Sequence, residues 1–258
     1  MSRIAERFAQ RRAEGRKAFV AFVTAGDPSL ERTVEVAFEL EKGGADVLEL
    51  GVPFSDPLVD GPVIQRSSER ALRRGVTLEK VLGVVRKIRA RSQLPLVLFS
   101  YLNPIHRYGA ERLAREARDA GADGALVTDL PPEEANGWLL AARAAGVDTV
   151  FLAAPTSPDE RIRRIAAASR GFVYAVSRTS VTGEKDQVSD DARPLVARIK
   201  ALTGEPVALG FGIGTPEQVK AAAQTADGVV VGSALVRFLE EHPDGDVAEK
   251  VGWLKSAM

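Results

Sequence analysis

The chain has 258 residues, 45% hydrophobic and 27% charged, which is enough to bury one large core. Its 35 basic residues balance its 35 acidic residues, so the zero formal net charge gives no electrostatic reason to expect nucleic acid or an anionic membrane as partner. The absence of cysteine excludes disulfides, thiolate nucleophiles and zinc–thiolate sites, and it fits a reducing, cytoplasmic environment.

The N-terminal segment, MSRIAERFAQRRAEGRKAF, is predicted to form an amphipathic, charged helix. It has no apolar stretch of the kind that signal peptides carry. Nowhere in the sequence do about 18 consecutive apolar residues occur, so no membrane-spanning helix is expected.

Eight short apolar, β-branched runs follow and are predicted to be strands. They begin at Ala18, Ala45, Leu94, Ala122, Val147, Gly171, Glu205 and Ala226. The segments between them repeat apolar residues at spacings of three and four, several end on glycine, and the pattern predicts amphipathic helices. The junctions GGAD, AGAD and AGVD form a weak internal repeat.

Nearly continuous apolar strands that alternate with helices favour a parallel sheet covered on both faces. Eight such units predict an α/β fold of the (β/α)8 TIM-barrel type, a single domain over residues 1–258 with an extra N-terminal helix. An open, doubly wound sheet is the alternative, but no GxGxxG motif follows the first run.

Two gaps between successive runs are long. The second and third runs start 49 residues apart, and the sixth and seventh start 34 residues apart. In barrels of this type the loops at the carboxyl ends of the strands build the active site. The extra length therefore predicts working loops after the second and sixth strands, although a tolerated surface insertion would look the same.

Glu49 is the first candidate for chemistry. In a strand, Val47, Glu49 and Gly51 share one face while Leu48 and Leu50 share the other, and the leucines suit the helix layer. Glu49 is then expected to point into the barrel, where burial would raise its pKa into the range useful for acid–base catalysis. A structural ion pair with an arginine is the alternative reading.

The loop that follows, GVPFSDPLVDGP, carries Asp56 and Asp60 between three prolines. Proline limits the backbone conformations of such a loop and so restricts where the acids can point. Loop aspartates commonly form turns, but beside Glu49 a functional role is favoured.

Two glycine-rich turns predict a phosphate site. GFGIGTP follows the seventh run and VGSAL follows the eighth, where it opens a short helix that Pro243 must end. Glycines allow backbone N–H groups to approach an oxyanion, and a helix N-terminus adds donors. The candidates are Gly210, Gly212, Gly214, Gly232 and Ser233.

The remaining residue types narrow the mechanism. The sequence has only two histidines, His106 and His242, and no strand end carries a lysine, so neither a histidine-rich metal site nor a Schiff base is expected. Proton transfer by carboxylates remains, with Tyr101 and Tyr174 as possible helpers.

The segment LELGVPFSDPLVDGP resembles the signature of the tryptophan synthase α subunit family. FVTAGDP from Phe22, SRTSVTG from Ser177, GFGI from Gly210 and VGSA from Val231 are similar to family motifs in order and spacing, and the resemblance covers essentially the whole chain. It implies a lyase that cleaves indole-3-glycerol phosphate, by a retro-aldol step, to indole and glyceraldehyde 3-phosphate.

The resemblance also implies residue roles. Glu49 matches the acid–base that protonates the indole ring carbon, Asp60 the acid at the indole N–H, and Tyr174 a tyrosine near the glycerol chain. Phe22 and Tyr101 match indole-pocket positions, and Thr182 matches a threonine that positions Asp60. The matches to phosphate contacts are Gly183, Gly212, Gly232 and Ser233.

The resemblance further implies no metal and no cofactor in this chain. Pyridoxal phosphate (PLP) would belong to a β subunit, with which the chain would form an α2β2 heterotetramer in the cytoplasm. The β-facing elements would be the loop of residues 53–60, which begins at Pro53 and ends at Asp60, and the segment with Asn103 and Pro104.

The sequence departs from the family pattern in one loop. Ser180 stands where glycine is usual, and Glu184, Lys185 and Asp186 follow Gly183 where a small residue and often an arginine are usual. Two other functions are compatible with the residues alone. One is a phosphosugar isomerase or epimerase that uses a carboxylate pair, and the other is a non-catalytic regulatory subunit that binds a phosphate ligand.

Overall fold

The computed structural model describes residues 2–176, 192–210 and 212–258. The strands within these residues are β1 (Ala18–Thr24), β2 (Val47–Gly51), β3 (Leu96–Ser100), β4 (Gly124–Val127), β5 (Asp148–Val150), β6 (Leu152–Ala153), β7 (Val173–Val176), β8 (Val207–Gly210) and β9 (Gly228–Val231). The helices are α1 (Arg3–Ala13), α2 (Leu30–Lys42), α3 (Pro62–Arg73), α4 (Leu78–Arg89), α5 (Leu102–Tyr108), α6 (Ala110–Ala120), α7 (Asn136–Ala145), α8 (Asp159–Ala168), α9 (Ala192–Leu202), α10 (Pro216–Ala223), α11 (Ser233–Glu241) and α12 (Val247–Lys255).

The strands form one parallel sheet in the order β5-β4-β3-β2-β1-β9-β8-β7-β6. Its two end strands, β5 and β6, are separated in the chain by Phe151 alone. One short stretch of chain therefore joins both ends of the sheet and curves it into a barrel, which confirms the predicted (β/α)8 fold.

The fifth predicted strand differs from the prediction because it is divided in two. β5 pairs with β4, whereas β6 pairs with β7, so the chain changes its neighbour at Phe151. The Phe151 carbonyl still accepts a hydrogen bond from the Tyr174 backbone N–H at 3.0 Å. Eight predicted runs thus become nine strands through the closure of the barrel.

Alternation along each strand separates two buried apolar clusters. Phe19, Ala21 and Val23 of β1 belong to the cluster between sheet and helices, while Val20 and Phe22 belong to the cluster inside the barrel. The same alternation puts Leu48 and Leu50 in the outer cluster and Val47 in the inner one, as the sequence predicts.

Helix α1 closes the amino-terminal end of the barrel and confirms the predicted N-terminal amphipathic helix. Ile4 and Phe8 on its apolar side join the inner cluster, where the rings of Phe8 and Phe172 lie 5.4 Å apart. On its polar side, Arg11 Nε donates to Asp46 at 2.7 Å. The helix thereby seals the end of the barrel opposite the carboxyl ends of the strands.

The recurring aspartate at the helix-to-strand junctions has a structural role. The buried Asp46 accepts the backbone N–H of Phe19 at the start of β1 at 2.8 Å, and the buried Asp123 accepts that of Leu96 in β3 at 2.9 Å. Each carboxylate ties the start of one strand to the start of the next, which explains the repeated GGAD and AGAD junctions.

The long gap after β2 is mostly helix. Helices α3 and α4 both lie between β2 and β3, so only residues 52–61 form the predicted working loop. The long gap after β7 contains residues 177–191, which lie outside the described part of the chain. Among the described residues, every helix is too short or too polar to cross a membrane.

Candidate active site

A narrow pocket opens at the carboxyl ends of the strands. Its lining residues are Phe22, Glu49, Asp60, Ile64, Phe99, Tyr174, Gly212, Val230, Gly232 and Ser233. Seven of the ten site residues that the family resemblance implies are thus brought together. Of the other three, Tyr101 lies beside Asp60, while Thr182 and Gly183 lie outside the described residues.

Glu49 is fully buried in β2, and its carboxyl group faces the pocket. Its strand neighbours in register are Phe22 of β1 and Val97 of β3, both apolar. Within the described part of the chain neither carboxyl oxygen has a hydrogen-bond partner, so no arginine pairs with it there. Burial raises the pKa of Glu49 to about 8, which leaves the group protonated at neutral pH.

Asp60 lies directly before the N-terminus of α3, and only 6% of it is exposed. Its backbone is fixed on both sides, because its N–H donates to the Pro57 carbonyl at 3.1 Å and its carbonyl accepts from Gln65 Nε2 at 2.8 Å. Burial raises the pKa of Asp60 to about 6, against a smaller lowering by Tyr101. Asp60 is therefore mostly ionised at neutral pH.

Tyr101 follows β3 and lies behind Asp60 rather than in the pocket wall. Its ring packs on Phe54 with centroids 5.0 Å apart. The hydroxyl is close enough to influence the pKa of Asp60, but no hydrogen bond of normal geometry joins it to any described residue. Burial and the Asp60 charge both raise the pKa of Tyr101, so it stays a neutral donor.

Tyr174 lies on the inner face of β7 and reaches the pocket past Gly210. A Cβ atom at Gly210 would lie 2.2 Å from the Tyr174 hydroxyl oxygen, so this glycine leaves room for the phenol. Burial raises the pKa of Tyr174, and the charges of Glu49 and Asp60 raise it further. Gly210 accordingly serves Tyr174 and does not line the pocket, contrary to the prediction that it contacts phosphate.

Three residues of the glycine-rich turns do line the pocket. Gly212, after β8, has a backbone φ of +79°, which favours glycine. Gly232 and Ser233 follow β9, and Ser233 begins α11. At Gly232, a Cβ atom would lie 3.3 Å from the Phe22 ring. Because glycine has no side chain, the backbone at Gly212 can come close to a ligand. For the same reason the backbone at Gly232 can lie close to the Phe22 ring.

One predicted glycine, Gly214, and one predicted acid, Asp56, lie outside the pocket wall. Gly214 is not in the pocket wall, because its N–H donates to Gln218 Oε1 at 2.7 Å within the capped start of α10. Asp56 is exposed and accepts from the neighbouring Ser55 hydroxyl. Of the two loop carboxylates, only Asp60 turns inward.

Ile64, Phe99 and Val230 also line the pocket, and the sequence analysis did not single them out. Phe99 packs edge-on against Phe22, with ring centroids 5.0 Å apart and planes at 73°. Its alternation with Val97 on β3 was a usable signal for an inward position, since both belong to the inner cluster.

The two segments predicted to face a partner form one groove. Pro53, Phe54 and Ser55 from the loop after β2 line it together with Asn103 and Pro104 of α5. At the tip of the same loop Leu58 is 83% exposed. The loop after β2 thus contributes both residues of the groove and an exposed leucine outside it.

A sequence model of the tryptophan synthase α chain matches residues 8–255. The tryptophan synthase α chain of Geobacter sp. (strain M21) is 50% identical over 258 residues, which are 100% of this chain and 97% of that protein. The chain belongs to the tryptophan synthase α chain family. Solved structures agree, since Mycobacterium tuberculosis tryptophan synthase superposes with a TM-score of 0.93 at 40% identity, covering 99% of this chain and 98% of that one. The α subunit from Legionella pneumophila str. Paris gives a TM-score of 0.89 at 38% identity, covering 100% and 97%.

Membership of the tryptophan synthase α chain family confirms the predicted activity and assembly. The chain is a lyase that cleaves indole-3-glycerol phosphate within tryptophan biosynthesis. It works with a β subunit in an α2β2 complex. The family carries no cofactor in the α chain, and PLP belongs to the β subunit. Neither the isomerase nor the regulatory alternative gains support from these relatives.

Proposed function

We propose that the pocket at the carboxyl ends of the strands is where the tryptophan synthase α chain cleaves indole-3-glycerol phosphate, with Glu49 and Asp60 as its catalytic residues. One observation carries the proposal: two buried carboxyl groups in one pocket have pKa values on opposite sides of neutrality, about 8 and about 6. Such a pair supplies a proton donor and an anion at the same pH.

In this proposal Glu49 is the acid and then the base. Its protonated carboxyl gives a proton to the indole ring carbon that bears the glycerol chain, which leaves an iminium in the ring. The hydroxyl on the adjacent chain carbon loses its proton to the Glu49 carboxylate, and the bond between ring and chain breaks. The bonding electrons restore the indole, the chain leaves as an aldehyde, and Glu49 is protonated again.

Asp60 has the complementary part. When the ring carbon is protonated, positive charge develops at the indole nitrogen, and an ionised carboxylate at that N–H stabilises it. The desolvated pocket strengthens this interaction relative to water. Because the protonated indole itself accepts the electron pair, the cleavage requires neither an imine nor a metal ion.

The other lining residues would bind the two ends of the substrate. Phe22, Phe99 and Ile64 offer an apolar wall for the indole ring, which Tyr101 supports from behind Asp60. Tyr174 would contact the glycerol hydroxyls. The phosphate would lie on Gly212, Gly232 and the N-terminus of α11 at Ser233, where backbone N–H groups and the helix dipole favour an anion. Thr182 and Gly183 lie outside the described residues, and the family resemblance gives them as a threonine that positions Asp60 and a phosphate contact.

The decisive experiment is an assay of indole release from indole-3-glycerol phosphate by the wild type, Glu49→Gln and Asp60→Asn. Release by the wild type and its loss in both variants, with binding of substrate retained, is the expected result. A pocket used for phosphosugar isomerisation would instead exchange a substrate carbon-bound proton with solvent and release no indole.

We also propose that the groove formed by residues 53–55, Asn103 and Pro104 is the surface that docks on the β subunit. The loop that lines it ends at Asp60, so a partner seated there would hold a catalytic carboxylate.

The chain would act in the cytoplasm as a single domain of residues 1–258. Direct pairing of β1 with β9 supports the single domain, because it unites the two halves of the chain.

A further inference from the structure

Four charged side chains outside the pocket connect the secondary-structure elements that carry the residues at the two ends of the pocket. Asp27 lies after β1, Arg66 and Arg70 lie on α3, and Glu240 lies in the last turn of α11. Helices α3 and α11 pack side by side, and the N-terminus of each reaches the pocket, through Asp60 and Ile64 in one case and Ser233 in the other. The charged group connects the same two helices at their far ends.

Arg70 makes a two-pronged ion pair with Asp27. Its Nε donates to one carboxylate oxygen at 2.9 Å and its Nη2 to the other at 2.6 Å. Asp27 is only 8% exposed, so this pair is largely shielded from water. The planar guanidinium fixes both distance and orientation between α3 and the end of β1, which a lysine could not do.

The remaining donor of Arg70 reaches across to α11. Its Nη1 donates to Glu240 Oε1 at 2.7 Å, while Arg66, one turn earlier on α3, grips both oxygens of Glu240 at 3.0 and 2.9 Å. These contacts, led by the Arg66 hydrogen bonds, lower the pKa of Glu240 to about 2. Glu240 is therefore ionised at any pH at which the protein would work.

A buried hydroxyl pair fixes α3 at a second point. The hydroxyls of Thr24, at the end of β1, and Ser67 on α3 lie 2.6 Å apart, and Ser67 also donates to the Ile64 carbonyl at 2.9 Å. Helix α3 is thus held to β1 by Ser67 and Arg70 and to α11 by Arg66 and Arg70. Rotation or sliding of α3 would break both sets of contacts.

We infer that Arg70 is a positioning residue that sets the distance between Asp60 and the phosphate site at Ser233. Arg70 lies about 12 Å along α3 from its start, and Glu240 about 10 Å along α11 from Ser233, at 1.5 Å per residue. We call the contacts of Arg70 with Asp27 and Glu240 the clamp. The clamp touches no substrate. It holds α3 and α11 in register, so that one ligand can contact Asp60 with its ring and Ser233 with its phosphate.

The inference rests on the proposed function, since it requires that indole and phosphate bind at opposite ends of the pocket. The indole site at Asp60 and the phosphate site at Ser233 are the two half-sites. A substrate gains affinity from binding both half-sites only while their separation matches the length of the substrate. Loss of the clamp should leave each half-site intact and remove the advantage of joining them. A residue with a merely structural role would lower stability without this selective effect.

The test compares Arg70→Lys with Arg73→Lys, which alters an exposed arginine on the same helix that pairs only with Glu69 among the described residues. Dissociation constants are measured for three probes: indole, glycerol 3-phosphate, and a non-cleavable analogue with a saturated three-carbon chain between indole and phosphate. Turnover of indole-3-glycerol phosphate is measured in parallel, with circular dichroism to establish folding.

For Arg70→Lys we expect Kd of the joined analogue to rise roughly tenfold to a hundredfold, with a similar loss of kcat/KM and less than about threefold change for either half. Arg73→Lys should match the wild type. Equal weakening of all three probes, or a joined-analogue Kd unchanged in folded Arg70→Lys, would overturn the positioning role. If the wild type itself released no indole, the proposed function would fail instead.

Discussion

Phe22 and Glu49 are paired in register across β1 and β2, so an aromatic ring and a carboxyl group lie side by side on the inner wall of the barrel. On the other side of Glu49 stands Val97 of β3. The strand alternation that buries the apolar residues therefore also desolvates the carboxyl, and this is the physical origin of its raised pKa.

Replacement of Glu49 by glutamine is expected to reduce kcat for indole release by about 10²- to 10⁴-fold, because an amide cannot give a proton to the ring carbon. The shape of the pocket is kept, so Kd for the non-cleavable analogue should change little. Steady-state assays and analogue binding measure the two effects. Turnover within about tenfold of wild type in the folded variant would rule out Glu49 as the acid.

The stability of the folded chain should fall as pH rises because of Glu49. The unfolded chain ionises this group near its ordinary pKa of 4.5, whereas the folded chain holds the proton to about pH 8. Between these values the folded state binds more protons, so the free energy of unfolding decreases by at most about 1.4 kcal/mol per pH unit, and it levels off above pH 8.

Urea titrations of the wild type and Glu49→Gln from pH 5 to about 8.5 measure this term. The stability advantage of the variant should grow across the window, and the comparison cancels the contribution of Asp60. Glu134→Gln, which alters an exposed glutamate, is the control and should show no such growth. A constant difference between wild type and Glu49→Gln would mean that Glu49 is not desolvated in the folded state.

Gly212→Val should raise KM for indole-3-glycerol phosphate strongly. At a φ of +79°, a β-branched residue is strained, and its side chain would block backbone approach to the phosphate. Binding of glycerol 3-phosphate should weaken in parallel. Gly137→Ala is a matched control, because a Cβ atom there meets nothing within 4 Å. Unchanged phosphate binding in folded Gly212→Val would place the phosphate elsewhere.

Leu58→Asp should weaken association with the β subunit by at least about tenfold, since a charge would replace an apolar side chain that docking covers. Leu58 is 83% exposed in the free chain. Leu140→Asp, which changes a leucine that is 62% exposed on α7, is the control and should bind normally. Calorimetric titration measures both, and equal affinities for the two variants would exclude the loop after β2 from the interface.

The activity of the isolated chain should be low and should rise when the β subunit docks on the loop that ends at Asp60. Docking would fix Asp60, and the family resemblance gives Thr182, which lies outside the described residues, as the residue that positions Asp60. Indole release by the wild type and Thr182→Val, each alone and with saturating β subunit, measures the coupling. Full activation of Thr182→Val would show that this threonine does not carry the signal.

Much of the site could be read from local patterns. Strand periodicity put Glu49 inside the barrel, and the glycine-rich turns after the last two strands gave Gly212, Gly232 and Ser233 as pocket residues. The sequence-based predictions failed where one local pattern is compatible with two different positions of a side chain or a glycine. Asp56 and Asp60 share one loop, and only the packing of α3 decides that Asp60 turns inward while Asp56 stays in water. Gly210 and Gly214 share a turn with Gly212, yet Gly210 makes room for Tyr174 and Gly214 donates its N–H to Gln218 at the start of α10.

The sequence by itself determined the alternation of strands and helices, the number of βα units and the identity of the acids and glycines, because each of these depends on residues a few positions apart. The tertiary structure alone decided the rest. The split of the fifth strand at Phe151 follows from closing the sheet, and the separation of the Glu49 and Asp60 pKa values follows from the different surroundings of each carboxyl. The link from Arg70 to Asp27 and Glu240 spans 43 and 170 residues of sequence, a distance over which no local propensity acts and only packing can bring charges together.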